Sequence, residues 1–392
     1  IGDSDTGYIC TFHGFCVKLL REDIHAINFP QNFVVMDDED TEEILKTVYE
    51  NAHIQSRTYT FDSARDHITA MKSQMLHIPY LAEIGNEKLL ADYEKAEMVE
   101  DKVFLGYLYE QKKVYGLDYD DLITIALYIL QTDETKRIKW QERMMYVMVD
   151  EFQDVSNSQY ALAEILSGYH RNLFIVGDPD QTIYTWRGAQ IEYILEFDET
   201  HENTRTIFLD MNYRSTPEIL AVSNSLIEKN KKRLPHRLEA YKESGRRPIY
   251  IHSRTTGDEA QWMTSEIQRL VSEGASYNEM AVLYRSHFVS RNIEESFIKA
   301  KIPYTLYSGV EFYKRKEIKD VLAYLRMIVY SDDLSFRRVI NEPKRNFGKK
   351  RMALVKAYAE SHRCSLYNGL LDILEDKTIK MTGAAAFVDT IE

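Results

Sequence analysis

Two short apolar runs that each end abruptly in acids constrain this chain more than any other feature. The first, residues 144–149, is closed by Asp150 and Glu151. The second, residues 173–176, is closed by Gly177, Asp178, Pro179 and Asp180. Short apolar runs bounded by charge suit parallel strands covered on both faces. The stretch between them has a helical pattern, so the order is strand, helix, strand. In open α/β sheets, ligands collect just beyond the carboxyl ends of the strands. Two neighbouring strands would therefore bring Asp150, Glu151, Asp178, Asp180 and Gln181 to one crevice.

The chemistry this suggests is hydrolysis of a nucleoside triphosphate. An acid directly after a strand can hold Mg2+, usually through water, where the metal bridges phosphate oxygens. The next acid can orient or deprotonate the attacking water. Asp150 fits the first part and Glu151 the second. A lone Asp-Glu after a strand is commonly a solvated loop start. The following Phe152, Gln153 and Asp154, together with the second acid-tipped run, move the weight to a site.

Length and composition leave this open. With 392 residues, 44% of them hydrophobic, the chain can build about two to four cored domains. The net charge of -13 speaks against a broadly basic nucleic-acid surface, although a locally basic groove can sit on an acidic body. Cys10, Cys16 and Cys364 have neither metal-ligand spacing nor a disulfide pattern, as expected of a reduced, cytoplasmic protein. There is no apolar run long enough to span a membrane and no signal peptide in the sequence.

Six blocks, in order, give the chain a resemblance. VDEFQD (149–154) and VGDPDQTIYTWRGA (176–189) resemble motifs II and III of the superfamily 1 DNA helicases of the UvrD/PcrA/Rep type. TFHGFC (11–16) resembles motif Ib, and LDMNYRST (209–216) resembles motif IV. AVLYRS (281–286) and YSGVEFYKRKEIKD (307–320) are also similar to that family. Together the blocks span nearly the whole chain.

The resemblance implies an α/β fold with two RecA-like motor domains and two all-helical insertions. The first motor domain would hold 1–29 and 115–211, interrupted by a helical insert (1B-like) at 30–114. The second would begin with 212–312, followed by part of a second helical insert (2B-like) at 313–392. The implied substrate is ATP with Mg2+, and the implied partner is single-stranded DNA and single/double-strand junctions, with repair or replication proteins as further partners. Translocation would run 3′–5′.

The resemblance also assigns residues. Gln181 resembles the γ-phosphate sensor, and Arg214 the arginine that reaches that phosphate from the other motor domain. Tyr213 resembles the aromatic that stacks on adenine. Tyr184 and Trp186, with Arg187 beside them, resemble the group that contacts DNA bases. Thr11 and His13 would meet a nucleic-acid backbone. Gly348, Lys349 and Lys350 resemble a turn that meets duplex backbone.

Plainer readings stand beside these. Thr11 can be a helix N-cap, and the aromatics and Arg214 can be core and ion-pair residues. The acids of LDYDDLI (117–123) suit a helix N-terminus better than a metal site. The basic run 229–237 is at least as well read as a solvated loop as a DNA contact.

No G-x-x-x-x-G-K-[ST] occurs in the sequence, and neither do the family's motifs V and VI. The expectation is therefore a central fragment of a longer helicase, with both motor domains incomplete and without ATPase activity on its own. Two alternatives remain: the helicase part of an AddA/RecB-type helicase-nuclease, or a non-catalytic relative that binds DNA or a partner.

Overall fold

The computed structural model describes residues 8–185, 188–234, 236–286, 289–307 and 316–392. The chain groups into two compact units. The first holds residues 1–210 and 227–237, the second 211–226 and 238–392.

The first unit begins with α1 (Phe12–Asp23), followed by β1 (Val34–Val35), α2 (Asp38–Asn51), α3 (Phe61–Ser73), α4 (Ile78–Leu81), α5 (Glu87–Lys95) and α6 (Val99–Lys113). Asp37 caps α2 and exchanges hydrogen bonds with Asp40, which satisfies two backbone donors that a helix start leaves open. Ile44, Leu45 and Val48 lie on the buried stripe of α2, and α2 packs on α6. β2 (Gly116–Leu117) then pairs in parallel with β1.

The centre of this unit is α7 (Tyr119–Thr132), buried on most of its surface. Its Leu122, Ile125, Ala126 and Ile129 share a core with Phe15, Leu19 and Leu20 of α1 and with Trp140 of α8 (Glu134–Arg143). The Trp140 indole N–H donates to Asp23 at 2.7 Å, so this large buried ring keeps its polar atom satisfied.

β3 (Val147–Val149) and β4 (Leu173–Ile175) are parallel neighbours, in register from Val147 opposite Leu173 to Val149 opposite Ile175. The helix between them is α9 (Asn157–Ser167), opened by a Ser156–Gln159 capping box. Val149 and Ala163 share a small core with Phe152 and Phe197, against which Val147, Leu173 and Ile175 pack. The other face is open: Met148 is 72% and Phe174 54% exposed. Among the described residues these strands are thus covered on one face only, unlike the doubly covered strands expected from their composition. The short helices α10 (Glu192–Leu195) and α11 (Phe197–Thr200) follow.

In the second unit, β5 (Met211–Asn212) pairs in parallel with β6 (Glu239–Ala240) across α12 (Pro217–Ile227). Next come α13 (Thr256–Ser272) and α14 (Ser290–Lys299), joined by Ala260, Ile293, Phe297 and Ile302. The rest is helical: α15 (Lys316–Tyr330), α16 (Asp333–Val339), α17 (Lys349–His362), α18 (Leu366–Asp372), α19 (Lys377–Lys380) and α20 (Ala384–Ile391). Met327, Phe336, Val355, Leu370 and Phe387 fill their common core.

The apolar patterns at 206–209, 248–253, 280–284 and 304–307 predict four further strands, but none of these stretches is a strand in the structure. At 280–284 the two-residue alternation persists. Val282 and Tyr284 pack toward α13 and α14, while Leu283 is 94% exposed. Composition produced the alternation, but a strand also needs a neighbour for its backbone N–H and C=O groups. None of the described residues supplies one here. No described helix is long and apolar enough to cross a membrane.

Candidate active site

The two acid-tipped strands of the first unit end side by side, with Val176 N–H donating to Val149 O and Phe152 N–H to Val176 O, each at 2.9 Å. Just past β3 the backbone turns sharply. Glu151 has φ +53°, a left-handed conformation that costs a non-glycine residue on the order of 1 kcal/mol. Asp150 accepts the Glu151 N–H on its carboxylate at 2.9 Å. Both acidic side chains remain exposed.

Gln153 links the two strand ends. It is fully buried, donating its amide to Glu151 Oε2 at 2.8 Å and accepting the Asp178 N–H on Oε1 at 3.0 Å. One side chain thus fixes a carboxylate after β3 and the backbone after β4. Gly177 makes this approach possible, because a Cβ there would lie 2.5 Å from Gln153 Oε1 and 3.0 Å from Phe152 N. The sequence reading gave neither residue a role.

Beyond β4 the chain makes a tight turn. Asp178 Oδ1 accepts the Asp180 N–H at 3.0 Å, and its Oδ2 accepts the Gln181 amide at 2.8 Å. Gln181 is otherwise exposed. Asp180 is held in turn by Arg233, whose Nη2 lies 2.8 Å from Oδ2. Asp154 sits close by, its carboxyl pushed up by burial first and by the Glu151 charge second. The arrangement offers exposed carboxylate oxygens on a rigid, hydrogen-bonded floor, which suits a hard cation and a polyanionic substrate.

Two family profiles together match nearly the whole chain. The UvrD/REP helicase N-terminal domain matches residues 3–202, and the UvrD-like helicase C-terminal domain matches residues 207–387. The chain belongs to the UvrD/REP helicase family. It is 37% identical over 367 residues to the ATP-dependent DNA helicase PcrA of Staphylococcus epidermidis, covering 93% of this chain and 49% of that protein. It is also 37% identical over 372 residues to PcrA of Staphylococcus aureus, covering 94% of this chain and 50% of that protein. The chain spans about half the length of the curated relatives it matches. The two profiles meet close to the division between the two compact units.

The structure places the other expected UvrD-type residues as follows. Asp150, Glu151 and Gln181 come together in the first unit, as described above. Tyr213 and Arg214 lie in the second unit, both exposed. There Asn212 Oδ1 accepts the N–H groups of Arg214 and Ser215 at 3.0 and 2.7 Å, and the Tyr213 ring lies 5.0 Å from that of Tyr241. α12 opens at Pro217, where the fixed φ and missing N–H of proline are harmless.

Thr11 caps α1 by accepting the Gly14 N–H at 3.2 Å, the plainer of its two readings. The half-buried His13 sets its ring edge-on to Tyr119 at 5.4 Å. Burial lowers its pKa, with Asp120 partly offsetting the effect. Tyr184 is partly exposed. Trp186 and Arg187 lie outside the described residues, as does most of the block at 307–320.

Lys349 and Lys350 are exposed in the first turn of α17, after Gly348. Cations at a helix N-terminus oppose its dipole. The preceding loop is tightly built. Asn341 Oδ1 accepts the N–H groups of Arg345 and Phe347 at 2.9 and 3.0 Å, and Arg345 reaches the Tyr324 hydroxyl at 2.6 Å.

The acids of 117–123 fall where the helix-start reading put them, but they have a further task. Asp118 caps α7 in a capping box with Asp121, and both lie beside the fully buried Lys72 of α3. Its Nζ is 2.5 Å from Asp118 and 2.8 Å from Asp121.

Proposed function

We propose that these residues form part of an ATP-dependent DNA helicase that translocates 3′–5′ on single-stranded DNA and unwinds duplex at single/double-strand junctions. The observation that carries this reading is the Gln153 bridge, which fixes Glu151 and the Asp178–Gln181 turn on one floor. Glu151 is then the base that orients water, and Gln181 reports the γ-phosphate. Arg214 and Tyr213 are read, from the family resemblance, as a phosphate ligand and an adenine-stacking ring. The donor set at Asp150, exposed carboxylate oxygens with no sulfur or imidazole, fits Mg2+. Bound there, the metal would neutralise charge on the phosphates.

Helices α2–α6 and α15–α20 are read as the two inserted domains, 1B-like and 2B-like, at 30–114 and 313–392. Thr11, His13, Tyr184, Trp186 and Arg187 are proposed to track single-stranded DNA. Lys349 and Lys350, displayed in the first turn of α17 behind the braced loop, are proposed to meet duplex phosphates.

The 392 residues contain no phosphate-gripping G-x-x-x-x-G-K-[ST] loop, and positioning supplies most of the catalysis in phosphoryl transfer. This chain alone should therefore release no phosphate from saturating Mg·ATP, with or without single-stranded DNA, whereas an intact PcrA-like protein carrying it should show DNA-stimulated release. DNA-stimulated turnover by the 392 residues would contradict the reading. In the intact protein, Trp186→Ala should weaken binding of a fluorescent oligonucleotide by about 1–3 kcal/mol at fixed salt. Unchanged affinity in a folded variant would make Trp186 a packing residue.

A further inference from the structure

The segment 227–237 belongs with the first unit, although its chain neighbours on both sides, Leu226 and Leu238, belong to the second. Two ion pairs hold it on the first unit. Lys232 meets Glu192 at 2.7 Å, and both are substantially exposed. Such a pair contributes little. Arg233 meets Asp180 at 2.8 Å, and both side chains are largely buried. The same Nη2 also donates to the backbone carbonyl of His236 at 2.9 Å, so the guanidinium is fixed to its own segment while it grips the turn. In this partly dry setting, losing one partner leaves the other charge uncompensated.

What Arg233 grips matters. Asp180 is the residue before Gln181, in the middle of a turn braced from within by the Asp178 carboxylate and by the Thr182 hydroxyl on Pro179 O. Gln153 holds the start of that turn at the Asp178 N–H, and Arg233 holds its centre. A cation is a rival occupant, since donor atoms of Asp178, Asp180 and His236 lie within 4.8 Å of one another. The guanidinium on Asp180 already supplies the positive charge that such an ion would bring.

We propose that Arg233 is a positioning residue for Gln181: through Asp180 it fixes the 178–181 turn, and so sets where the Gln181 amide meets the terminal phosphate of ATP. This rests on the reading of Glu151 and Gln181 as part of an ATP site. Arg233 touches neither substrate nor metal, and its effect passes entirely through the turn.

The test uses the intact helicase and four variants: Arg233→Ala, Arg233→Lys, Gln181→Ala, and the double variant Arg233→Ala/Gln181→Ala. DNA-stimulated kcat, KM for ATP and the affinity for a fluorescent ATP analogue with Mg2+ are measured for each. Arg233→Ala should lower kcat about ten- to a hundredfold, as expected when a reacting group is misplaced, and analogue affinity should stay close to that of the unmodified protein. Arg233→Lys, which keeps the charge, should recover part of the loss. In the Gln181→Ala background the further loss from Arg233→Ala should vanish, because residues acting as one unit are not additive.

If Arg233→Ala does not fold, Asp180→Asn removes the same tie from the other side, and its epistasis with Gln181→Ala is read instead. Normal kcat in Arg233→Ala alongside a damaged Gln181→Ala would overturn the proposal and leave the ATP site standing. So would additive losses. Normal kcat in Gln181→Ala would overturn both.

Discussion

Two groups of acids sit in the first unit, and they are built in opposite ways. Asp118 and Asp121, at the start of α7, are buried around Lys72, with His77, Tyr107 and Gln111 filling the remaining positions. The Tyr107 hydroxyl donates to Asp118 at 2.7 Å, the Gln111 amide donates to Asp121, and His77 lies 3.3 Å from Thr124 Oγ1. Asp150 and Glu151, after β3, are exposed and have neutral amide partners. Burial works against each charge in the first group. The two carboxylates overcome it for Lys72, which stays protonated, and Lys72 overcomes it for Asp118, pulled down to about 2. In the second group one oxygen of each carboxylate accepts from an amide and the side chains stay exposed. Acid content does not separate a structural cluster from a chemical one; burial and the identity of the partner do.

The largest expected effect is on the buried side of this comparison. Lys72→Met leaves Asp118 and Asp121 without a counter-charge and should cost about 3–5 kcal/mol of folding stability, measured by denaturant unfolding. A loss below about 1 kcal/mol, the range of an exposed pair, would put the cluster on the same footing as the strand-end acids.

A smaller effect concerns pH. Burial first, and the Lys72 charge second, push His77 down to about 3, so it stays neutral in the folded protein while the unfolded chain takes up a proton near 6.5. Its contribution is therefore complete above about pH 6.5 and is lost as the pH falls toward 3. Lowering the pH from 7.5 to 5 should cost the unmodified protein about 2 kcal/mol more than His77→Gln. Equal pH dependence of the two would show that His77 is not held neutral.

The sequence made the helices readable, because their apolar residues recur at helical spacing and their starts carry Thr11, Asp37, Asp118 and Ser156. It also made the acid-tipped strands readable, since six letters of apolar text followed by two acids have few other uses. Lys72 was not read, although a signal existed. Ala64, Ile68 and Lys72 are spaced four apart on the buried stripe of α3, and a lysine on an apolar stripe announces a buried partner. Gln153 was read only as part of the site's signature and not as a bridge, because its partner Asp178 lies far along the chain and only the strand register brings the two together. The pairing of Arg233 with Asp180 has the same character: the described lysines and arginines of the run 229–237 are exposed, as its solvated reading implies, except Arg233, which turns in on a partner far along the chain. The four strands expected at 206–209, 248–253, 280–284 and 304–307 failed for a different reason. Alternation records which face is covered and says nothing about who pairs with the backbone.

The central claim is that the strand-end acids exist for chemistry, and Glu151→Gln in the intact protein tests it most directly. The amide keeps shape and volume but cannot take a proton, so the transition state suffers more than the bound ground state. DNA-stimulated turnover should fall about 10²–10⁴-fold, while binding of a fluorescent Mg·ATP analogue and the unfolding midpoint stay close to those of the unmodified protein. Turnover that survives, or a loss of folding stability comparable to that of Lys72→Met, would contradict the claim.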